Sequence, residues 1–320
     1  MDSAPLAATV IVTVRNESGS IDSLLDSLLR GARSPDEIVI ADGGSTDGTV
    51  EMLRARAAAE PRLRVLEAPG NRSVGRNAAI RAARHEIIAC TDAGVEVEPA
   101  WLGEILKPFA GGEGDGGARV DVVAGFYRPV ASTSFERAAG VVSAPRLEEV
   151  NLDRFLPSTR SIAFRRDAWN KAGGFDEMLA HNEDTPFALA LKSAGCRFAF
   201  APAAVVGWRP RGDLRSFYRQ HRRFGLGDGE SRVQAWFYGT IAAKYGLAVA
   251  LGFLGFVFPL AWLALGAGAA FFVLQQARRG FGRIGNLEAL LGVPFLKVVY
   301  DVAYLNGYVH GRLASAAGSR

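Results

Sequence analysis

The first half of the chain alternates short apolar runs with amphipathic stretches. The apolar runs predict strands at residues 7–14, 37–41, 63–67 and 86–90. After the first run, apolar residues recur at helical spacing: Ile21, Leu24, Leu25, Leu28 and Leu29. A second helix is predicted at residues 49–59. Strands that alternate with helices in this way predict an α/β fold, with a doubly wound, mostly parallel sheet and flanking helices.

The middle of the chain continues this alternation. Helices are predicted at residues 99–109 and 135–142, and strands at 120–127 and at 161–164, the latter followed by residues 166–171. The glycine-rich segment at 111–117 predicts a surface loop. A further helix opens at Asn182-Glu183-Asp184, and another is predicted at 213–224. The glycine run at 225–229 predicts a flexible hinge into the C-terminal third.

The C-terminal third is more apolar than the rest. Between residues 236 and 274 the only charged side chain is Lys244, and such a stretch is typical of a membrane span. Arginines at 219–232 and 278–283 flank it, and positive charge favours the cytoplasmic side, so both ends are expected there. This predicts a helical hairpin turning near Phe258-Pro259. A single pass and a shallow re-entrant hairpin remain open alternatives.

Residues 287–309 show a different pattern. Their apolar residues fall on one helical face: Leu287, Leu291, Phe295, Val298, Val302, Leu305 and Val309. The pattern predicts an amphipathic helix on the membrane surface or on the N-terminal domain. A third span is disfavoured because Lys297 and Asp301 would lie near its middle. The predicted domains are therefore 1–230, a transmembrane or re-entrant hairpin at 231–280, and an amphipathic helix and tail at 281–320.

Composition favours a membrane surface as the partner. The 320 residues are 49% hydrophobic with a net charge of +4, and many arginines flank the apolar region. The chain shows no basic stripe interleaved with aromatic residues, which argues against a nucleic-acid partner. The N-terminus lacks the segments of a signal peptide, so residues 1–235 are expected on the side of synthesis. The expected location is the cytoplasmic face of the inner membrane.

Polar side chains stand where three predicted strands end. Asn16 and Glu17 follow the first strand, Asp42 the second and Asp92 the fourth. Right-handed crossovers bring these ends to one edge of the sheet, where open α/β sheets bind ligands. The segment at 70–77 adds two arginines and an asparagine on a glycine-bearing loop, which suits an anion. These residues predict a site for a nucleotide with a pyrophosphate and a divalent cation, Mg²⁺ or Mn²⁺.

Asp184 is the candidate for proton transfer. It opens a predicted helix shortly after the turn at 172–177. One interpretation is a simple N-cap. The other is a general base, because a carboxylate at a pocket edge can take a proton from an attacking hydroxyl.

Six motifs occur in order between about residues 6 and 225, and together they resemble the family 2 glycosyltransferases: Val14-Arg15-Asn16-Glu17, Asp42-Gly43-Gly44-Ser45-Thr46-Asp47-Gly48-Thr49, Gly75-Arg76-Asn77, Thr91-Asp92-Ala93-Gly94, Gly173-Gly174-Phe175-Asp176-Glu177 and Glu183-Asp184. The resemblance, to the bacterial membrane-associated type, implies the GT-A fold. It also implies a nucleoside-diphosphate sugar donor, a hydroxyl acceptor and inversion at the anomeric carbon. The expected acceptor is a lipid-linked or cell-envelope glycan.

The resemblance also implies roles for individual residues. Asp184 would be the catalytic base. The donor-binding residues would be Asn16, Glu17, Asp42, Ser45, Arg72, Arg76, Asn77 and Asp92. The acceptor side would comprise Gly174, Phe175, Asp176 and Glu183. Asp92 and Glu96 would hold the metal ion.

The chain departs from the family pattern at two places. The family's metal motif reads Asp-any-Asp, but its last position here is Gly94, so we expect Glu96 to reach the ion instead. The later strand carries no histidine at Val205-Val206-Gly207-Trp208. Gln220, Arg222 and Arg223 loosely resemble a motif of processive relatives, but Phe224 replaces its tryptophan, so processivity is not inferred.

Three other functions compete with this interpretation. A membrane partner protein that keeps the fold but has lost activity would explain Gly94. A sugar nucleotidyltransferase would need a glycine-rich phosphate loop near the N-terminus, which is missing. A dinucleotide oxidoreductase would need Gly-any-Gly-any-any-Gly after the first strand, where Arg15-Asn16-Glu17 stands instead.

Overall fold

The computed structural model describes residues 6–110, 119–151, 155–285 and 288–317. The chain folds into two compact units. The sheet unit comprises Met1–Arg128 and Arg146–Trp208, and the helical unit comprises Pro129–Pro145 and Arg209–Arg320. The domain boundaries predicted at residues 230 and 280 remain predictions. The loop predicted at 111–117 lies outside the described residues.

The strands and helices are numbered along the chain. The strands are β1 (Ala8–Val14), β2 (Glu37–Asp42), β3 (Leu63–Glu67), β4 (Ile87–Cys90), β5 (Val95–Val97), β6 (Val122–Pro129), β7 (Ile162–Arg165) and β8 (Phe198–Trp208). The helices are α1 (Ile21–Leu29), α2 (Thr49–Ala59), α3 (Arg72–Ala82), α4 (Trp101–Ala110), α5 (Ser134–Ser143), α6 (Arg166–Lys171), α7 (Asp184–Ser193), α8 (Leu214–Glu230), α9 (Ala235–Leu254), α10 (Leu260–Ile284) and α11 (Glu288–Ala317).

The eight strands form one sheet in the order β3-β2-β1-β4-β7-β6-β8-β5. β1 pairs in parallel with β2 and β4, and β2 pairs in parallel with β3. β7 runs antiparallel to β4 and β6, and β5 runs antiparallel to β8. The predicted parallel alternation therefore describes the first four strands, and antiparallel strands make the sheet mixed.

Helices cover both faces of the sheet. Val10 and Val12 of β1 belong to a buried cluster with α1 and α4, whereas Ile11 belongs to a second cluster with α3, α6 and α7. Successive residues of a strand point to opposite faces, so β1 contributes to both clusters. The packing holds the carboxyl ends of β1, β2 and β4 side by side, where the predicted site residues begin.

The segment at 70–77, predicted as a loop, is mostly helical because α3 begins at Arg72. The Asn71 side chain caps α3 by accepting a hydrogen bond from the Val74 amide at 3.1 Å. A Cβ on Gly75 would lie 2.9 Å from the Thr13 methyl group of β1. The glycine thus permits close packing of α3 on the sheet, and Arg76 and Asn77 are carried on a helix.

The glycine run at 225–229 is not the predicted hinge, since α8 continues through it to Glu230. α8 packs on α11 through glycines of both helices. A Cβ on Gly225 would lie 2.2 Å from the Tyr304 carbonyl oxygen, and one on Gly307 would lie 2.0 Å from the Arg222 carbonyl oxygen. A Cβ on Gly229 or on Gly311 would likewise lie too close to a backbone oxygen of the other helix. The glycines allow the two backbones to touch, and this contact keeps α8 helical.

Within the residues that the structure describes, three helices are long and apolar enough to cross a membrane: α9, α10 and Ala289–Ala317 of α11. A turn joins α9 and α10 at residues 255–259, at the place predicted for the hairpin. The uncharged part of this hairpin exposes large apolar side chains to the outside of the protein, for example Phe253, Phe256 and Leu260.

The apolar stripe predicted on α11 also faces outward. Leu291 and Phe295 are exposed, and the predicted Leu287 lies outside the described residues. The opposite side of α11 is buried and includes Val293 and Asp301. Asp301 pairs with Lys297 and with Lys244 of α9, so the charge in the middle of α11 is compensated inside the helical unit.

Candidate active site

The loops after β1 and β2 are joined by hydrogen bonds around Asp42. Its buried carboxylate accepts hydrogen bonds from the Gly44 and Ser45 amides, both at 2.9 Å, and from the Ser45 hydroxyl. The two glycines after Asp42 allow the sharp turn, and Gly44 has a φ of 93°. Asp42 and Ser45, both predicted to bind the donor, thus also hold the shape of this loop.

Asn16 connects the two loops. It has a φ of 57°, a left-handed conformation that asparagine tolerates better than most residues. Its side-chain oxygen accepts a hydrogen bond from the Thr46 backbone amide at 2.8 Å. Its own backbone amide donates a hydrogen bond to the Ser45 hydroxyl at 2.8 Å. Asn16 remains exposed, so the loop pair forms a preorganised surface at the sheet edge.

Arg76 lies at the centre of the charged residues. Its side chain is almost fully buried, and its guanidinium donates to Glu183, to Asp92 at 2.8 Å and to the Thr159 hydroxyl at 2.9 Å. Burial alone would lower the pKa of Arg76, but Glu183 and Asp92 raise it well above its usual range. Arg76 therefore stays charged and links α3, β4 and α7.

Asp92 follows β4 and keeps 28% of its side chain exposed. Within the described residues, both of its hydrogen bonds, from Arg76 and from Thr159, are accepted by Oδ1. Burial would raise the pKa of Asp92, but the guanidiniums of Arg76, Arg160 and Arg72 outweigh it and hold the pKa below its ordinary value. Asp92 is thus an ionised carboxylate with access to solvent.

Asp184 is the first residue of α7 rather than its N-cap, a position that Glu183 occupies without a capping hydrogen bond. The Asp184 carboxylate accepts a hydrogen bond from the Thr185 amide at 3.0 Å. Burial raises the pKa of Asp184, and the carboxylate of Glu183 raises it further, while Arg160 and Arg76 oppose this rise. Two adjacent carboxylates thus differ: Glu183 is ion-paired with Arg76, whereas the pKa of Asp184 is raised above its ordinary value.

Sequence analysis missed Arg160. Its guanidinium lies 5.1 Å from the ring centres of both Tyr127 and Trp208, and its charge acts on Asp92 and Asp184. It stands just before β7, whose start pairs with the end of β4 because the two strands are antiparallel. Arg160 reaches this edge of the sheet only because β7 runs antiparallel to β4. The predicted sheet was mostly parallel and did not include this reversal of strand direction.

Asn77 holds the turn at 173–177 in place. Its amide nitrogen donates to the Phe175 carbonyl and to Glu177, both at 2.8 Å. Its amide oxygen accepts from the Phe175 amide at 3.0 Å and from the Trp169 indole at 3.1 Å. Asn77, predicted to bind the donor, is buried with its hydrogen-bonding groups directed into the protein.

The predicted acceptor-side residues fall into different environments. Phe175 is buried and stacks on Phe187 with ring centres 3.9 Å apart. Gly174 has a φ of 78°, and a Cβ there would lie 3.2 Å from the Asn77 side-chain oxygen. Asp176 is exposed and caps the local turn by accepting from the Met178 amide. Glu183 is buried against Arg76, so Asp176 is the one with a solvent-accessible carboxylate.

The carboxylates near Gly94 are the candidate ligands of a divalent cation. In the part of the chain that the structure describes, no group of three or more His, Cys, Asp or Glu side chains could hold a metal ion. Glu96 is exposed on β5, between the buried Val95 and Val97. The carboxylate beside Gly94 is that of Glu17, whose Oε2 lies 3.8 Å from the position of a Cβ on Gly94. Asp92 and Glu17 both offer carboxylate oxygens, the ligands that Mg²⁺ usually takes together with substrate phosphates.

Comparison with known proteins places these features in one family. The family model described as Glycosyl transferase family 2 matches residues 9–172, and that described as Glycosyl transferase family group 2 matches residues 118–275. The chain is 27% identical to succinoglycan biosynthesis protein ExoA of Rhizobium meliloti over 249 residues, which is 72% of each chain. It is 27% identical to glycosyltransferase AglE of Haloferax volcanii over 254 residues, covering 77% of this chain and 79% of AglE.

A solved structure supports the same fold. The mannosyltransferase PcManGT from Pyrobaculum calidifontis, in complex with GDP-Man and Mn²⁺, has a TM-score of 0.56 at 20% identity. The match covers 95% of this chain and 90% of that one. The predicted GT-A fold is thereby confirmed. Because the first family model spans more than half of the 320 residues, the chain belongs to glycosyl transferase family 2.

Proposed function

We propose that the protein is an inverting glycosyltransferase that moves a sugar from a nucleoside diphosphate to a hydroxyl group of a lipid-linked or cell-envelope glycan. The observation that carries this proposal is the pair of carboxylates at the start of α7. Glu183 is ion-paired with Arg76, whereas burial and the negative charge of Glu183 raise the pKa of Asp184. General base catalysis is favoured by a carboxylate that is more basic than an ordinary one.

The proposed reaction is a single displacement. The acceptor oxygen attacks the anomeric carbon from the face opposite the diphosphate, and one displacement inverts its configuration. The new carbon–oxygen bond forms as the bond to the diphosphate oxygen breaks, and that oxygen keeps the bonding electrons. The hydroxyl proton passes to a carboxylate oxygen of Asp184. The site must therefore hold a proton on the acceptor side and, on the donor side, the negative charge that develops on the leaving diphosphate in addition to the charge it already carries.

Different residues suit the donor side. The exposed Asn16 and the loop held by Asp42 and Ser45 form a rigid surface for the nucleoside. Arg72 is exposed at the start of α3, and Arg160 lies near Asp92, so both cations suit the diphosphate. Asp92 and Glu17 would hold a Mg²⁺ or Mn²⁺ ion, which when bound supplies positive charge to the leaving diphosphate.

Arg76 and Asn77 receive a revised role. Their side chains are buried and bonded to the protein, so we assign them to positioning rather than to direct contact with the nucleotide. Arg76 fixes Asp92 and Glu183, and Asn77 fixes the turn that precedes α7. Phe175 likewise supports that turn from the core, which leaves Gly174 and Asp176 as the acceptor-side positions near solvent.

The membrane part of the proposal rests on the exposed apolar surfaces of the helical unit. Three helices have the length and composition of membrane spans, and large apolar side chains on them face outward. ExoA is named for succinoglycan biosynthesis, so envelope glycans are a suitable acceptor class. The proposed location is the inner membrane, with the sheet unit on the cytoplasmic face.

A donor screen tests the proposal. Purified protein is incubated with UDP-, GDP- and dTDP-sugars, and nucleotide release is measured with and without Mn²⁺. The anomeric configuration of the glycoside formed with a positive donor is then read by NMR. Release with one donor class and an inverted product support the proposal. Retention of configuration would exclude the single displacement. No release with any donor would favour an inactive partner protein.

A further inference from the structure

Asp301 is the centre of a charged cluster at the base of the α9–α10 hairpin. The side chain is fully buried on α11. Its carboxylate accepts hydrogen bonds from Lys244 of α9, from Lys297 of α11 and from the Tyr245 hydroxyl at 3.1 Å. Two ammonium groups therefore share one carboxylate.

The cluster has positive charge in excess. Asp301 is the only carboxylate among the described side chains of α9, α10 and α11, whereas these helices carry several cations: Lys244, Arg278, Arg279, Arg283, Lys297 and Arg312. An ammonium group has three donors, and each lysine gives one described hydrogen bond to Asp301. Aromatic rings complete the surroundings. The ring centre of Phe272 lies 5.0 Å from the Lys244 Nζ, and the ring centre of Tyr300 lies 4.4 Å from the Lys297 Nζ.

The lysines remain accessible. The side chain of Lys244 is 41% exposed and that of Lys297 is 21% exposed. An ionisable group at such a place in apolar helices is costly and commonly marks a ligand site. Charge complementarity requires that the ligand be an anion.

The length of the hairpin indicates where the cluster lies in a membrane. From Lys244 to Leu254, the end of α9, the helix rises about 15 Å. From Leu260 to Phe272, which lies beside Lys244, α10 rises about 18 Å. The hydrocarbon core of a bilayer is about 30 Å thick, so a hairpin inserted as far as Lys244 reaches roughly the bilayer centre. The lysines then lie at the level of the lipid headgroups of one leaflet.

We propose that the Lys244–Lys297–Asp301 cluster binds the phosphate group of a membrane lipid, with both lysines donating to phosphate oxygens and Asp301 holding them in place. The inference rests on the proposed membrane attachment and deepens the proposed function. The lipid is either the diphosphate carrier of the acceptor or an anionic phospholipid, which share this headgroup chemistry.

The test is a binding titration with the full chain in maltoside micelles. The probes are farnesyl diphosphate, short-chain phosphatidylglycerol and inorganic diphosphate, measured by calorimetry with UDP and GDP present in excess to fill the nucleotide site. Lys244→Met removes one ammonium group but leaves the Lys297–Asp301 pair, so the helices keep their internal ion pair. We expect it to weaken lipid binding about tenfold or more, because a hydrogen bond to a charged group is lost.

Arg223→Met is the matched control, since Arg223 is an exposed cation of α8 and its loss changes the net charge by the same amount. The control should bind as the wild type does. Tighter binding of farnesyl diphosphate identifies the acceptor carrier, and tighter binding of phosphatidylglycerol identifies a phospholipid. Equal affinities of the wild type and Lys244→Met for both lipids, or inorganic diphosphate bound as tightly as the lipids, would overturn the inference.

Nucleotide-sugar hydrolysis in the same preparations separates this inference from the proposed function. Hydrolysis with unchanged lipid binding in Lys244→Met would refute the lipid site alone. Lipid binding that depends on Lys244, without hydrolysis of any donor, would refute the transferase and keep the lipid site.

Discussion

At the scale of single residues, neighbouring carboxylates acquire different properties from their partners. Glu183 and Asp184 are adjacent in the chain, but only Glu183 forms an ion pair with Arg76. The negative charge of Glu183 and burial then raise the pKa of Asp184. Asp92, which faces several guanidiniums, has a lowered pKa. The pKa values of the two aspartates are thereby shifted in opposite directions, which suits Asp184 to the proposed role of proton acceptor.

The first prediction concerns Asp184→Asn, which keeps the size of the side chain and an oxygen for the Thr185 amide. The turnover rate should fall by roughly 10²–10⁴-fold, the usual contribution of a general base, with little change in donor affinity. Steady-state kinetics and donor calorimetry measure the two quantities. Asp22→Asn, on the exposed face of α1, is the control. Turnover near the wild-type rate in Asp184→Asn would remove Asp184 as the base.

The second prediction concerns pH. Activity requires ionised Asp184, so the turnover rate should fall as the pH drops through its raised pKa. Glu183→Gln removes the neighbouring negative charge and leaves Arg76 less neutralised, and both effects lower the pKa of Asp184. The acidic limb of the pH–rate profile should therefore move to lower pH. An unchanged or upward-shifted limb would contradict the assignment.

The third prediction concerns the metal ion. Activity should fall in excess EDTA and return with Mg²⁺ or Mn²⁺. If Glu17 supplies the carboxylate missing at Gly94, Glu17→Gln should raise the Mn²⁺ concentration needed for half-maximal activity more than Glu96→Gln does. The reverse order would assign that role to Glu96. Full activity in EDTA would contradict the metal ion and would indicate that Arg72 and Arg160 stabilise the leaving diphosphate without it.

At the scale of elements, glycines decide how closely α8 and α11 approach. The fourth prediction is that Gly225→Ala lowers the stability by roughly 1–3 kcal/mol, because its Cβ would lie 2.2 Å from a backbone oxygen that cannot move away freely. Thermal unfolding in detergent measures the change. Gly239→Ala on α9 is the control, since a Cβ there meets nothing within 4 Å. Equal midpoint temperatures of thermal unfolding for the two variants would show that α8 and α11 are not tightly packed at this contact.

The same glycines show why sequence could predict only part of the fold. Local patterns determine α2 and β3, whose bounds were predicted correctly. At 70–77 and 225–229, however, glycine was interpreted as a loop signal, whereas tertiary packing on Thr13 and on α11 uses its small size within a helix. Arg160 was missed for a related reason, because its place depends on the antiparallel direction of β7 and no local pattern encodes it.

At the scale of the whole molecule, attachment to a membrane follows from apolar surface rather than from any single span. The fifth prediction is that the protein stays with membranes in high salt and in carbonate, since the exposed side chains of α9, α10 and α11 would be buried in lipid. Sedimentation of membranes measures it. Release by carbonate would indicate attachment by charge alone.

Thiol labelling of Ser231→Cys and Arg279→Cys should succeed only from the cytoplasmic side, because the hairpin returns the chain to that side. Labelling of Arg279→Cys from outside would require a single pass.

The contact between α8 and α11 limits how this enzyme can be shortened for study in solution. A soluble fragment would be cut most simply after residue 234, which keeps every residue of the proposed donor and base positions. That cut would also remove α11 and leave Gly225 and Gly229 facing water, on the side of α8 that had packed against the lost segment. Glycine-rich helices are weak when unsupported. The cut fragment should therefore fray from its new end, and a split form in which α11 is supplied as a separate peptide should restore it.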